Sequence, residues 1–193
     1  MTTHPDAVKW NERYRLEGAR WLASKPRGLL LDFAYLLPET GMALDAASGV
    51  SIHGRFLAER GLRVIALDIS EVGLRLAQKW AREKGVWLET AVLDLSHLRL
   101  PPNSFDVIVN FRFLERTTFP VYQQALRPGG LLIFETFVKP DTLEEHPHFF
   151  LDPGELYTGF SDLQIIYHGS KKVSGATRGR LQSAEQLVAR KPA

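Results

Sequence analysis

The sequence predicts an α/β protein built on a doubly wound, mostly parallel sheet, and three observations predict it. Short apolar runs alternate with stretches of helical periodicity from residue 41 onward, polar residues close several of those runs, and the chain finishes as strand, turn and strand. Repeated strand-helix-strand units of this length require parallel strands joined by right-handed crossovers. A terminal hairpin must instead pair antiparallel.

Taken in order, residues 1–40 read as a helical cap, "AVKWNERYRLEG" followed by "RGLLLDFAYLL", laid against the sheet, and 41–193 as the core of one domain. "GMALDAA" (41–47) is a buried strand. "IHGRFLAERG" (52–61) is a helix with Ile52, Phe56 and Leu57 toward the sheet and Gly61 at its C-cap. "LRVIALDIS" (62–70) is the second strand, and Ser70 caps a helix over 71–84 that stops at Gly85. Residues 86–93 alternate as a third strand, and two prolines mark the loop after it. "FDVIVNFRF" (105–113) is a fourth strand, 117–126 a helix, and "LLIFETF" (131–137) a fifth strand. After a loop over 138–152 and a short helix "PGELYTGF", strands at 163–169 and 181–191 close the chain as a hairpin, giving seven strands.

Composition excludes several function classes. With 193 residues, 45% apolar and 24% charged, the chain suffices for one folded domain. No apolar run approaches a membrane span and the N-terminus has no signal-like apolar region, so a cytosolic protein is expected. Zero cysteines exclude disulfides, cysteine-ligated zinc and thiol nucleophiles. Arg exceeds Lys while Cys, Met and Asn are scarce, which points to a thermophilic source. A net charge of +2 does not by itself call for a nucleic-acid partner.

The turn "DAASGVS" (45–51) leaves the first strand through small residues, which allow a bound molecule close to the backbone. In an open α/β sheet ligands sit beyond the carboxyl ends of the strands, where an acidic residue ending the next strand accepts hydrogen bonds from a ribose. Asp68 is that residue, Asp94 follows the third strand, and Asn110 lies near the end of the fourth. Together they point to a nucleoside-like ligand, although an Asp after a strand also suits a turn or N-cap, and a buried amide also serves structure. A dinucleotide site needs GxGxxG, which fails here at Ala47 and Ile52.

"ALDAASGVSIHGRFLAERGLRVIALDIS" resembles the first two motifs of class I S-adenosylmethionine-dependent methyltransferases, and "LPPNSFDVIVNFRFL" with "ALRPGGLLIFETF" resembles their fourth and fifth strand regions. "WNERY" is similar to the segment that many of them fold over the cofactor, and "ETF", "FLDPGEL" and "AEQLVARKP" look most like the tellurite-resistance branch. The resemblance implies a Rossmann-like three-layer α/β/α fold with strand order 3-2-1-4-5-7-6 and strand seven antiparallel. It implies a cofactor site in which Asp45, Ala47 and Gly49 hold the methionine end and Asp68 accepts the ribose hydroxyls, with Ile69 alongside. Asp94 and the Leu95 backbone would read adenine, Asn110 would lie near the methionyl portion, and Tyr14 would close over it. S-adenosylmethionine, leaving as S-adenosylhomocysteine, is the implied cofactor.

Where the family commonly has DxGxGxG, only the middle glycine survives, so either affinity is reduced or the backbone at Ser51 needs no positive φ. Methyl transfer from a sulfonium requires orientation more than a fixed triad, and no catalytic residue or metal site is assigned. His146 and His148, near Glu144 and Glu145, are candidates for a base or a metal ligand or simply a solvated loop, and His53 reads as solvent-facing or part of the cofactor turn. Trp10, Tyr14, Trp21, Phe149 and Phe150 are candidate walls of an acceptor pocket, while Arg112 and Arg116 either meet an anionic acceptor or are solvated. The basic cluster 171–180 reads as a soluble turn. The expected activity is methyl transfer to a small molecule, with a non-catalytic cofactor-binding protein or an RNA or protein methyltransferase as alternatives.

Overall fold

Seven strands form a single sheet in the order β3-β2-β1-β4-β5-β7-β6 in the computed structural model, which describes residues 4–140, 148–174 and 181–193. The strands are β1 (Met42–Ala46), β2 (Arg63–Asp68), β3 (Leu88–Val92), β4 (Phe105–Phe111), β5 (Leu126–Phe137), β6 (Gln164–Ser174) and β7 (Leu181–Arg190). The first five run parallel, and β7 pairs antiparallel with both β5 and β6. This is the expected order, with the antiparallel strand where the terminal hairpin requires it.

Alternation along β4 and β5 sends side chains to opposite faces of the sheet. Ile108, Leu132 and Phe134 join a core with Tyr122 and Phe160, beneath α5 (Thr118–Ala125) and α6 (Glu155–Gly159). Val107, Val109, Leu131 and Ile133 face a second core with Leu30, Leu57 and Leu74, covered by α2 (Gly28–Asp32), α3 (Ile52–Glu59) and α4 (Glu71–Lys84). Both faces being covered explains why the strands read as near-continuous apolar runs.

Three boundaries differ from the sequence reading. β5 begins at Leu126, because the "RPGG" stretch stays in the sheet through a register shift opposite Phe105 and Val107. β6 runs on to Ser174, which pairs with Leu181, so the hairpin is longer than expected. β4 stops at Phe111, because Arg112 adopts φ +64 and turns the chain. The N-terminal helix α1 (Pro5–Leu22) packs principally on α4 rather than on the sheet. Asn11 fastens it there by accepting from the Ser70 hydroxyl at 2.8 Å and the Val72 N–H at 3.1 Å.

Candidate functional site

The carboxyl ends of β1, β2 and β4 lie side by side, and the turn leaving β1 sits among them. Its backbone alternates: Ala47, Gly49 and Ser51 have φ of +51, +56 and +52. The left-handed region costs an L-residue about 1 kcal/mol, so a glycine-like turn is retained without the glycines at 47 and 51. Of the two alternatives for Ser51, a backbone that needs no positive φ is thereby excluded.

What holds Ser51 there is Asp45. The Ser51 hydroxyl donates to Asp45 Oδ2 at 2.7 Å, and the Gly54 N–H donates to the same oxygen at 2.9 Å, so Asp45 caps the start of α3. A Cβ at Gly54 would lie 3.0 Å from that oxygen and collide with the Ser51 hydroxyl. Asp45, Ser51 and Gly54 form one unit, of which the sequence reading found only Asp45. Burial pushes the Asp45 carboxyl up to about 7, against these two hydrogen bonds and with the help of the Asp68 charge.

Asp68 is also buried. Its Oδ2 accepts the Gly49 N–H at 2.8 Å and its Oδ1 the Ser70 N–H at 2.7 Å, which ties the β1 turn to the β2 end. Burial raises its pKa in spite of these backbone donors. Neither Asp45 nor Asp68 has a cationic side chain as partner among the described residues.

α1 carries Tyr14 directly over Gly49, so close that a Cβ at 49 would strike the phenol hydroxyl. Trp10 stacks on Tyr14 at 5.7 Å and Trp21 meets it edge-on at 5.9 Å, while Arg13 lies over both indoles. Burial raises the Tyr14 pKa, so it keeps its proton.

Asp94 acts as an N-cap, accepting the Ser96 N–H at 2.9 Å, which holds its carboxyl below the usual range. Leu95 is buried beside it, and Ile69, the residue after Asp68, is half-buried. Asn110, opposite Ala46 across β1 and β4, is fully buried. Its amide donates to the Tyr122 hydroxyl at 3.4 Å, and its Oδ1 has no hydrogen-bond donor among the described residues. The Ser48 hydroxyl is likewise buried without a partner. Tyr14, Asp45, Ala47, Gly49 and Asp68 therefore meet at one point, Asn110 borders it, and Asp94 and Leu95 lie one strand further out.

The remaining candidates separate. His53 is half-buried: its ring stacks on Phe111 at 4.0 Å and Nε2 is buried without a partner among the described residues. Burial first, then the charges of Arg27 and Arg112, push its pKa down to about 3, so it is neutral. Arg112 donates through Nε to Glu135 at 3.0 Å and through Nη1 to the Ser174 carbonyl at 2.9 Å. Arg116 binds Glu155 and the carbonyls of His148 and Phe150, tying down the segment before α6. It is a structural clamp rather than a free cation. Phe150 is core, Phe149 is 52% exposed, and the ring of exposed His148 meets that of Phe149 edge-on. Glu144, Glu145, His146 and the tip of the basic cluster, 175–180, lie outside the described residues. No group of acids and histidines suited to a metal occurs among the described residues.

Residues 43–130, which include the β1 turn, Asp68, Asp94 and Asn110, match the family model for a methyltransferase domain. The ubiquinone biosynthesis O-methyltransferase of Idiomarina loihiensis is 31% identical over 99 residues, covering 48% of this chain and 41% of that protein. The chain thus matches about two fifths of the length of such curated relatives. TehB from Haemophilus influenzae superposes with a TM-score of 0.77 at 15% identity, over 94% of this chain and 67% of that one. Phosphoethanolamine N-methyltransferase 2 from Haemonchus contortus, in complex with S-adenosyl-L-methionine, superposes with a TM-score of 0.68 at 17% identity, over 86% of this chain and 52% of that one. At such identities the solved structures speak for the fold.

Proposed function

We propose that this chain, which belongs to the class I S-adenosylmethionine-dependent methyltransferase superfamily, transfers a methyl group from S-adenosylmethionine to a small-molecule acceptor. The observation that carries the reading is the pair of buried carboxylates, Asp45 and Asp68, with no cationic side chain among the described residues to balance them. Such a crevice suits a ligand that brings its own positive charge, as a sulfonium with an ammonium does. It opposes a dinucleotide, because Asp45 already occupies the N-terminal end of α3 where a pyrophosphate would need to bind.

The residues fit the cofactor. Each Asp68 oxygen accepts one backbone N–H and retains a lone pair, enough for two ribose hydroxyls. The unpartnered Asn110 Oδ1 suits the ammonium of the methionyl portion, and the turn at Ala47 and Gly49 offers the close backbone approach that portion needs. Ile69, Asp94 and Leu95 would border the adenine. When bound, the cofactor supplies a methyl group already activated on sulfur. The protein's part is therefore orientation and exclusion of water, and Tyr14, wedged over Gly49 by two indoles, is placed to do the excluding. The 1–40 segment serves in this reading as a cap within one domain of 193 residues. The same reading carries a cytoplasmic location, where the adenosyl donor is made, and a thermophilic source from the Arg-over-Lys bias. A small acceptor is favoured over nucleic acid by the modest net charge of +2.

Calorimetric titration with S-adenosylmethionine, S-adenosylhomocysteine and NADH tests the proposal. Micromolar binding of the two adenosyl compounds and none of NADH is expected, with at least a tenfold loss in Asp68→Asn. No adenosyl binding, or unchanged affinity in Asp68→Asn, overturns it. Turnover is then sought with labelled donor and a panel of small acceptors.

A further inference from the structure

Beyond Asn110 the crevice changes character. Arg112, the residue after β4, is held by Glu135, the Ser174 carbonyl and the face of Phe137, 4.4 Å from its guanidinium carbon. Its third nitrogen, Nη2, is buried and has no acceptor among the described residues. Arg27, the residue before α2, makes no side-chain cap bond and no ion pair among the described residues, and its charge bears on both Arg112 and His53. The Lys171 ammonium also approaches the start of α2 at Gly28. Among the described residues Glu135 is the acid paired with Arg112, and it is shared with Gln186, whose amide donates to it at 2.6 Å. The Asp32 carboxylate reaches the same point at Gly28 as Lys171, so two guanidiniums and a lysine stand against two carboxylates.

We infer that this corner holds an oxyanion handle on the methyl acceptor, a carboxylate or phosphate monoester clamped by Arg27 and Arg112 beside the His53 ring. The inference rests on the methyl-transfer reading for the word acceptor, and on the cationic corner alone for the oxyanion. Planar guanidinium forks match both anions bidentately, and a buried N–H without an acceptor is costly to leave unmet. Burial first, and then repulsion from Arg27, lowers the pKa values of both His53 and Arg112, and an anion would relieve the repulsion. Phe111 under His53 and Phe137 under Arg112 make the flanks flat and apolar, which favours an aryl group next to the anion. The handle anchors the acceptor and is not the atom that receives the methyl group. His53 is a positioning residue here, because a ring held neutral to about pH 3 is too weak a base to take a proton.

The test uses the full chain in phosphate-free buffer, with benzoate and phenyl phosphate as probes, each titrated with and without S-adenosylhomocysteine. Saturable millimolar binding of at least one probe is expected, weakened fivefold or more in Arg27→Gln and in Arg112→Lys, which keeps the charge but loses the fork. Affinity for S-adenosylhomocysteine should stay within twofold in Arg27→Gln. The relative affinity of the two probes tells carboxylate from phosphate. Three outcomes overturn the inference: no saturable binding of either probe, probe affinity unchanged in Arg27→Gln, or a parallel loss of S-adenosylhomocysteine affinity, which would assign the guanidiniums to the cofactor's own carboxylate. Should S-adenosylhomocysteine fail to bind the wild type, the methyl-transfer reading falls, while the probe titrations on the ligand-free protein still decide the oxyanion site.

Discussion

The two ends of the crevice are built in opposite ways. At the β1–β2 end, the carboxylates of Asp45 and Asp68 each accept two internal donors and thereby hold the backbone in place. At the β4–β5 end, Asn110 Oδ1, His53 Nε2 and Arg112 Nη2 are buried with no partner among the described residues. The first end is negative and knitted into the fold; the second is positive and carries spare hydrogen-bonding capacity. A polar group that spends its bonds internally supports stability first and binding second, whereas an unspent one costs stability and is justified by a ligand.

The largest effect expected from this contrast is on stability. Asp68→Ala strands the buried N–H groups of Gly49 and Ser70 and detaches the β1 turn from β2. At about 1–3 kcal/mol for each orphaned donor, a loss of about 4 kcal/mol is expected in urea unfolding, so this variant confounds binding with folding and Asp68→Asn is the better probe of the cofactor. Arg27→Gln, at the other end, should change stability by less than about 0.5 kcal/mol because the Arg27 side chain makes no hydrogen bond among the described residues. Equal costs for the two would erase the distinction between the ends.

Titration offers a second, somewhat smaller test, since the two ends have opposite pH dependence. Asp45 binds its proton more tightly folded, at about 7, than unfolded, at about 4. Its contribution is therefore full below pH 4 and is lost as pH rises to 7. His53 is the reverse, with a folded value of about 3 against about 6.5 unfolded, so stability is lost as pH falls from 6.5 toward 3. Between pH 4 and 6.5 the two slopes oppose each other, and the wild type should look nearly flat in this respect. Asp45→Asn should expose the histidine slope, with stability rising by on the order of 2 kcal/mol across that window, less the opposing slope of Asp68, whose pKa burial also raises. His53→Asn should expose the falling carboxylate slope. Thermal melts at half-unit pH steps read both, and parallel curves for the two variants would refute the assignment.

The two ends were also unequally legible. Strand ends announce themselves where an apolar run meets a polar residue, which is how Asp45, Asp68 and Asn110 came into view from sequence. Strand order needed the family resemblance, because nothing local in a parallel strand states its neighbour. For His53 the sequence leaves solvent contact and a place in the cofactor turn both open, because the Phe111 ring that covers one face of it comes from a distant strand. Arg112 and Arg116 were indistinguishable in sequence. Glu155 and two carbonyls satisfy Arg116, whereas Arg112 keeps a buried nitrogen free, and that difference lies in partners distant along the chain. Asn11, the pin for the N-terminal helix, was missed for the same reason: its partner Ser70 is 59 residues away.

The smallest expected effect bears on the turn itself. Ala47 and Ser51 have nearly the same left-handed backbone, φ +51 and +52, so replacing either by glycine should relieve a similar strain. For Ala47→Gly that relief, about 1 kcal/mol, exceeds or offsets the added entropy of the unfolded chain, and the variant should be neutral to about 1 kcal/mol more stable. Ser51→Gly gains the same relief but loses the buried bond of 2.7 Å to Asp45, a charge-assisted bond contributing about 2 kcal/mol when the carboxyl is ionised. It should therefore be about 1 kcal/mol less stable at pH 8. Its deficit should shrink at pH 5, where Asp45 carries a proton. Urea unfolding of both variants at the two pH values measures this. If Ser51→Gly stabilises the protein as much as Ala47→Gly does, the hydroxyl–carboxylate bond contributes nothing, and the serine at 51 has no role in keeping the turn in a glycine's conformation.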